Sequence, residues 1–217
     1  MLFCQNITKI YDGQLLLKNI SLKVEKGEVI SLCGPSGIGK TTLFNIIAGI
    51  ELPDSGKIFL NDHDITGKPG SISYMMQNDL LLEHKNVIDN VVLPLIIRGM
   101  SKKDAYCIAI PYLSKFGIEG TAYKYPSELS GGMRQRVAFL RTYMIGNDVI
   151  LLDEPFSALD FRTKNAMYKW FQGMIESFSP TIILITHDFK EATMLTDKIF
   201  PLTTQSEGLL TPSSNAL

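Results

Sequence analysis

Cysteine is scarce and charge is balanced. Three cysteines, Cys4, Cys33 and Cys107, stand among 217 residues. An odd, scattered set argues against a disulfide framework and against a zinc site, and it suits a reducing cytosol. Lys and Arg number 21 against 22 Asp and Glu, a net charge of −1, so no overall field draws the chain to nucleic acid or anionic lipid. Long apolar runs are missing. VVLPLIIRGM (91–100) is cut by Pro94 and Arg98 and falls short of the roughly 20 residues that span a bilayer. At the start, MLFCQNITKIYDG has no basic segment leading into an apolar core, so no signal peptide is expected. Internal repeats are absent too. With 45% hydrophobic and 20% charged residues, the composition is that of a globular protein of one domain or a tightly joined pair. It excludes general disorder, a collagen-like fibre and a coiled-coil rod.

Short apolar runs alternate with helical stretches. EVISLC (28–33), GKIFL (56–60), SISYMM (71–76), DVILLD (148–153) and TIILIT (181–186) predict strands. The last two are nearly continuous apolar runs, which suits interior parallel strands buried on both faces. Helical spacing is present at 40–49, 101–117, 131–145, 160–178 and 189–196. This alternation predicts an α/β fold with a mainly parallel sheet. Residues 85–130 lack buried-strand runs and contain Pro94, Pro111 and Pro126, so they read as a mainly helical insertion. The Ser-, Thr- and Pro-rich end, about 203–217, is expected to be mobile.

Residues 34–42, GPSGIGKTT, fit the pattern G-x-x-x-x-G-K-[ST] between an apolar strand and a helical run. Gly34, Pro35, Ser36, Gly37, Ile38 and Gly39 form the loop, whose glycines let backbone wrap an anion. Its N–H groups and the following helix start favour negative charge. Lys40 supplies a full charge for β- and γ-phosphates. Thr41 can place a hydroxyl on Mg²⁺, and Thr42 can reach the α-phosphate side. Further on, VILLDE (149–154) ends a strand in Asp153 and Glu154. The carboxyl ends of parallel strands form the ligand edge. An Asp there can hold Mg²⁺ through water, and the next Glu can orient or deprotonate an attacking water.

LSGGMRQRVAFLRT (129–142) begins with Ser130, Gly131 and Gly132 before a helical run. Ser-Gly-Gly in that place is usually a helix cap, and it is also a second N-terminal anion site. With it the chain resembles the ATP-binding subunits of ABC transporters. GPSGIGKTT resembles their Walker A motif, VILLDE Walker B, LSGGM the signature, SALD (157–160) the D-loop and THD (186–188) the switch-histidine loop. Gln77 in YMMQND matches the Q-loop glutamine, and Tyr11 in KIYDG the aromatic that stacks on adenine.

The resemblance implies a P-loop NTPase fold with an N-terminal antiparallel β subdomain. A helical signature-motif subdomain, about 85–145, would be inserted in a single ATP-binding domain spanning 1–217. It implies ATP and Mg²⁺ as ligands, with Thr41, Gln77 and Asp153 around the metal. Glu154 would be the catalytic carboxylate, helped by Gln77, and His187 would contact the γ-phosphate. Ser130, Gly131 and Gly132 would act on ATP held by a second subunit, with Asp160 at that junction. One phosphate loop and one signature per chain then call for a head-to-tail homodimer. Further partners implied are integral membrane permease subunits and, indirectly, an extracytoplasmic solute-binding protein. No nucleic acid partner is expected, and the location implied is the cytoplasmic face of the membrane.

Within the family, LSGGMRQRV, YMMQNDLLL and LLDEPFSALD resemble importers of the nitrate, sulfonate and taurine type, a group that includes carriers of thiamine precursors. Residues around 78–100 would then receive a permease helix, with Leu80 to Leu82 either exposed as contacts or packed inside. Two departures stand out. Met133 replaces the common glutamine of the signature, and DKIF followed by PLTTQSEG reads poorly as the further strands the family usually has. An alternative is a non-transport ABC-type ATPase of DNA repair or chromosome organisation, but the segment from Gln77 to Ser130 is too short for its coiled-coil insertion. A small-molecule kinase is a second alternative, disfavoured by LSGG and the SALD–THD pair.

Overall fold

The computed structural model describes residues 1–203 and 207–212. The chain divides into two compact units. One comprises Met1–Tyr74, Asp148–Glu154 and Ser179–Leu217, the other Met75–Asn147 and Pro155–Phe178.

The first unit opens with a long hairpin, β1 (Leu2–Tyr11) and β2 (Gln14–Val24). Tyr11 faces Gln14 across a two-residue turn, Asp12-Gly13, in which both residues have positive φ (48° and 77°). Such a turn matches the right-handed twist of the strands it joins. Asn6 and Asn19, each at φ 52°, mark irregularities in the pairing, a conformation Asn tolerates better than most residues. After β3 (Val29–Cys33) and α1 (Lys40–Ile47), β4 (Ser55–Leu60) pairs antiparallel with β1, and β5 (His63–Asp64) with β4.

The second sheet has the strand order β6 (Ser73–Met75), β7 (Val149–Asp153), β8 (Thr181–Thr186), β3 and β9 (Lys198–Pro201), in which β7, β8, β3 and β9 pair parallel. β7 and β8 are buried along their whole length, as their unbroken apolar sequence predicts. α7 (Phe189–Leu195) connects β8 to β9. A single core joins both sheets to α1, with Ile7, Leu22, Phe44, Leu151 and Ile183 fully buried. A strand β10 (Glu207–Leu209) pairs parallel with β2.

The chain after the last helix therefore differs from its sequence reading. Where DKIF and PLTTQSEG read poorly as strands, β9 and β10 form. β9 buries Ile199 and Phe200, and β10 gains an edge on β2, neither of which shows in so short a pattern. The tail expected to be mobile falls largely on 204–206 and 213–217, which lie outside the described residues.

The second unit is helical, with α2 (Val87–Val91), α3 (Leu93–Ile97), α4 (Lys102–Lys115), α5 (Gly131–Tyr143) and α6 (Phe161–Phe178). Its helices α2 to α5 lie within residues 85–145, and α6 follows them in sequence. Phe116 is fully buried and meets Phe139, Tyr143, Trp170 and Phe178 with ring centroids 5.7 to 5.9 Å apart. Tilted and edge-on aromatic pairs of this kind add to simple area burial. Phe171 is fully buried, while Trp170 stays partly exposed. Among the described residues no helix is long and apolar enough to cross a membrane.

Candidate functional site

In the first unit the loop between β3 and α1 is shaped by its glycines. Gly39 caps α1 in the left-handed region at φ 101°, and no side chain caps the helix start. A Cβ there would sit 2.9 Å from Leu17 Cδ2, so only glycine fits. The first N–H groups of α1 are thus left to an anion, as a phosphate-binding helix start requires. Lys40 is buried, with Nζ donating to the carbonyl oxygens of Gly34 at 2.8 Å and Pro35 at 2.9 Å. Ser36 and Gly37 are exposed at the tip, and Ile38 packs on the core.

The carboxyl end of β7 brings Asp153 to this loop. Thr41 Oγ1 donates to Asp153 Oδ2 at 3.0 Å, and the Tyr74 hydroxyl donates to the same oxygen at 3.2 Å. Burial pushes the Asp153 carboxyl above its ordinary pKa, against the pull of the Thr41 and Tyr74 hydrogen bonds. A hydroxyl beside a carboxylate is the hard-oxygen pair that suits Mg²⁺, an ion that keeps most of its waters, so these residues fit the metal.

Glu154 has a left-handed backbone, φ 46°, held by its N–H to Ile185 O at 3.0 Å. A non-glycine residue in that region is strained and persists only where its surroundings hold it. Its Oε2 lies 3.2 Å from His187 Nδ1 at the end of β8. The loop after β8 is tied by Asp188, which caps α7 through the N–H groups of Lys190 and Glu191. Farther along, Tyr11 is 43% exposed, its hydroxyl donating to Glu51, with Lys9 Nζ 5.1 Å from the ring centroid. Thr42 is partly exposed.

The second unit holds the rest. Gln77 is exposed and lines a cleft of about 350 Å³ with Asp79, Leu80, Arg134 and Gln135. Ser130 caps α5, its Oγ accepting from Met133 N at 3.3 Å. With Gly132, Met133 and Thr163 it borders another cleft of about 360 Å³. The glycines are needed for packing as well, since a Cβ on Gly131 would be 3.3 Å from Leu159 and one on Gly132 would be 3.0 Å from Thr163 Cγ2. Asp160 opens α6, accepting from the N–H groups of Arg162 and Thr163 and from the Thr163 hydroxyl. Those bonds, the Thr163 hydroxyl's foremost, hold its carboxyl below the usual range.

Of the residues the sequence singled out, Tyr11, the loop 34–42, Asp153, Glu154 and His187 lie in the first unit, and Gln77, Ser130, Gly131, Gly132 and Asp160 in the second. Leu80 is 55% exposed while Leu81 is buried, so the leucine run divides between the two readings given for it. His63 and His84 are exposed and Cys33 is buried. Sequence reading passed over Tyr74, which stands on a predicted strand three residues before Gln77. It also passed over Arg134 and Arg141, whose spacing of two helical turns puts them on one face of α5.

Comparison with known proteins follows the same lines. The family model described as ABC transporter matches residues 17–157. The formylaminopyrimidine import ATP-binding protein ThiZ of Halalkalibacterium halodurans is 43% identical over 190 residues, 88% of this chain and 74% of the relative. A sulfate/thiosulfate import ATP-binding protein of Mesostigma viride is 37% identical over 197 residues, 89% of this chain and 57% of its own length. The dimeric post-hydrolysis structure of the ATP-binding cassette MJ0796, bound to ADP and Pi, aligns over 97% of this chain and 96% of its own at a TM-score of 0.79 and 30% identity.

Proposed function

The chain belongs to the ABC transporter family of ATP-binding subunits, and from that membership we propose that it powers an importer of a small solute through ATP-driven closure of a homodimer. It is an ATPase. The observation that carries the reading is local: a phosphate loop, a Thr41–Asp153 contact of 3.0 Å and a Glu154–His187 contact of 3.2 Å stand in one compact unit. Import is supported by the relatives, whose names assign them to formylaminopyrimidine and sulfate or thiosulfate import. The cargo class proposed is the nitrate, sulfonate, taurine or thiamine-precursor type. Membrane permease subunits and an extracytoplasmic solute-binding protein complete the assembly, with this subunit on the cytoplasmic face.

In the mechanism, the loop amides and Lys40 bind the β- and γ-phosphates, and Lys40 exchanges its two carbonyl contacts for phosphate oxygens. Tyr11 offers its ring face to the base. Thr41 and Asp153 would hold Mg²⁺, with Gln77 as the further ligand that the family resemblance implies, and the ion would neutralise phosphate charge. Glu154 takes a proton from the attacking water, and His187 steadies the γ-phosphate. Ser130 with Gly131 and Gly132 of one subunit receives the γ-phosphate held by the other, with Asp160 at the junction. ATP bound to both subunits thus favours the closed pair, and loss of the γ-phosphate releases it.

Mixed dimers test this. Glu154→Gln should dimerise with ATP and turn over little. Co-assembly of Lys40→Ala chains with Ser130→Ala chains should recover activity, since one composite site keeps both its Lys40 and its Ser130. Absence of both ATP-dependent dimerisation and recovery would overturn the reading.

A further inference from the structure

Two arginines fasten the segment that carries Gln77 to the helix that Ser130 opens. Arg134 lies in the first turn of α5, its N–H bonded to Ser130 O at 2.9 Å. Its guanidinium grips Asp79 with both arms, Nε to Oδ2 at 2.8 Å and Nη2 to Oδ1 at 3.1 Å, and reaches Glu83 at 2.7 Å. A bidentate arginine–carboxylate pair is among the strongest and most directional contacts available to side chains. Seven residues on, Arg141 donates to the backbone oxygens of Asp79 at 2.5 Å and Leu80 at 2.8 Å. Those bonds fall where the chain is strained: Leu80 has φ 46°, a region a bulky residue holds only under constraint. Asp79 also accepts from Leu81 N at 3.0 Å, closing the turn just after Gln77. Gln77, Arg134 and Ala158 border the same cleft, so the clamp also shares a wall with the SALD segment.

We propose that Arg134 is a positioning residue that, through Asp79, makes the Gln77 segment and the Ser130 helix move as one piece, so that occupancy sensed at Gln77 sets the orientation of the serine–glycine tip. This rests on the roles proposed above for Gln77 and Ser130. A rigid link is the physical requirement for such coupling, because a displacement at one end is lost if the joint between them is soft. Five hydrogen bonds from two guanidinium groups, Arg134 to Glu83, Asp79 Oδ1 and Asp79 Oδ2 and Arg141 to Asp79 O and Leu80 O, together with the backbone bonds Leu81 N to Asp79 and Arg134 N to Ser130, make that joint stiff.

The experiment uses full-length protein carrying Glu154→Gln as parent, with ATP affinity of the monomer measured by a fluorescent ATP analogue and dimerisation by sedimentation with ATP. Arg134→Ala and Asp79→Ala should leave monomer affinity within about twofold and weaken dimerisation about tenfold. The double variant should be no worse than either single variant, and Arg134→Lys should recover part of the loss. With Glu154 intact, Arg134→Ala should lower kcat with little change in KM. A mere fold defect would lower affinity and dimerisation together and would not show this split. Should Arg134→Ala fail to fold, Asp79→Asn takes its place, because it keeps the side-chain size and the Leu81 contact. Parent-like dimerisation in the folded variant, or additive single effects, overturns the inference. A parent that stays monomeric with ATP overturns the functional reading instead, so the two failures are distinguishable.

Discussion

Replacing Gly132 by alanine separates a packing role from a chemical one. The new Cβ would stand 3.0 Å from Thr163 Cγ2, so the methyl must retreat by a few tenths of an ångström. It cannot turn away freely, because the Thr163 hydroxyl donates to Asp160 at 2.5 Å and its N–H to the same carboxylate at 3.1 Å. Overpacking of this kind costs about 1–3 kcal/mol. Alanine recovers about 0.5–1 kcal/mol of backbone entropy within a helix. The net loss is then about 0–2.5 kcal/mol, centred on about 1 kcal/mol. At about 2–4 °C per kcal/mol for a chain of this length, the melting temperature should fall by a few degrees. Thr163→Ser removes the offending methyl and keeps the hydroxyl that holds Asp160, so the pair Gly132→Ala with Thr163→Ser should melt at or above the parent. Thermal melting is read beside ATP hydrolysis. If Gly132 must also let a phosphate approach the backbone, the pair should regain stability while hydrolysis stays low. Recovery of both would refute the proposed chemical role and leave Gly132 as a packing residue. Failure to regain stability would refute the steric argument.

Two further outcomes are expected at the metal-fitting corner. Asp153→Asn should abolish hydrolysis yet raise the melting temperature at pH 7. Burial raises this carboxyl above its unfolded pKa, so the ionised group costs stability above the folded pKa and that cost vanishes below the unfolded one. The advantage of the variant should shrink as pH falls through the carboxylate range, and equal or lower melting at pH 7 would contradict the burial argument. Tyr74→Phe removes one of two donors to Asp153 Oδ2 but keeps the edge contact with Phe44 at 5.9 Å. The Mg²⁺ needed for half-maximal hydrolysis should rise about threefold, in line with the loss of one hydrogen bond. Nucleotide binding without Mg²⁺ should be unchanged, and an unaltered Mg²⁺ requirement would remove Tyr74 from the site.

How much of this was legible in the sequence depended on pattern length. β7 and β8 are apolar throughout, and their ends fall within a residue of the reading, because burial on both faces leaves no alternative composition. α5 and α6, 13 and 18 residues long, carry periodic apolar residues and open at Ser130 and Asp160, polar residues with a helix-starting geometry. β1 and β2 were known only through family resemblance, although Asp12-Gly13 between apolar runs is itself a hairpin signal. β9 and β10 were missed because a four-residue and a three-residue strand owe their existence to partners distant in sequence. At the site, the loop 34–42, Asp153 and Glu154 were readable because phosphate chemistry demands those residue types in order. Tyr74 and Arg134 were not, since a tyrosine on a strand and an arginine on a helix take their meaning from what stands opposite.

Several candidate residues already have structural work within the chain. Ser130 caps α5, Asp160 caps α6 and Lys40 satisfies two loop carbonyls. An alanine at any of them therefore removes a local bond along with any contact to nucleotide, and loss of activity alone does not tell which was lost. The energetics point the same way. If Lys40 binds a phosphate as proposed, it must give up charge-assisted bonds to Gly34 and Pro35, so its contribution to affinity would be the difference between two sets of bonds rather than the sum of one. Ser130→Thr preserves a capping hydroxyl while adding a methyl where a phosphate would approach. If Ser130 only caps its helix, Thr in that place should hydrolyse ATP like the parent. If the serine meets phosphate across a subunit junction, stability should hold while ATP-dependent dimerisation falls, because the added bulk acts only when a second subunit arrives.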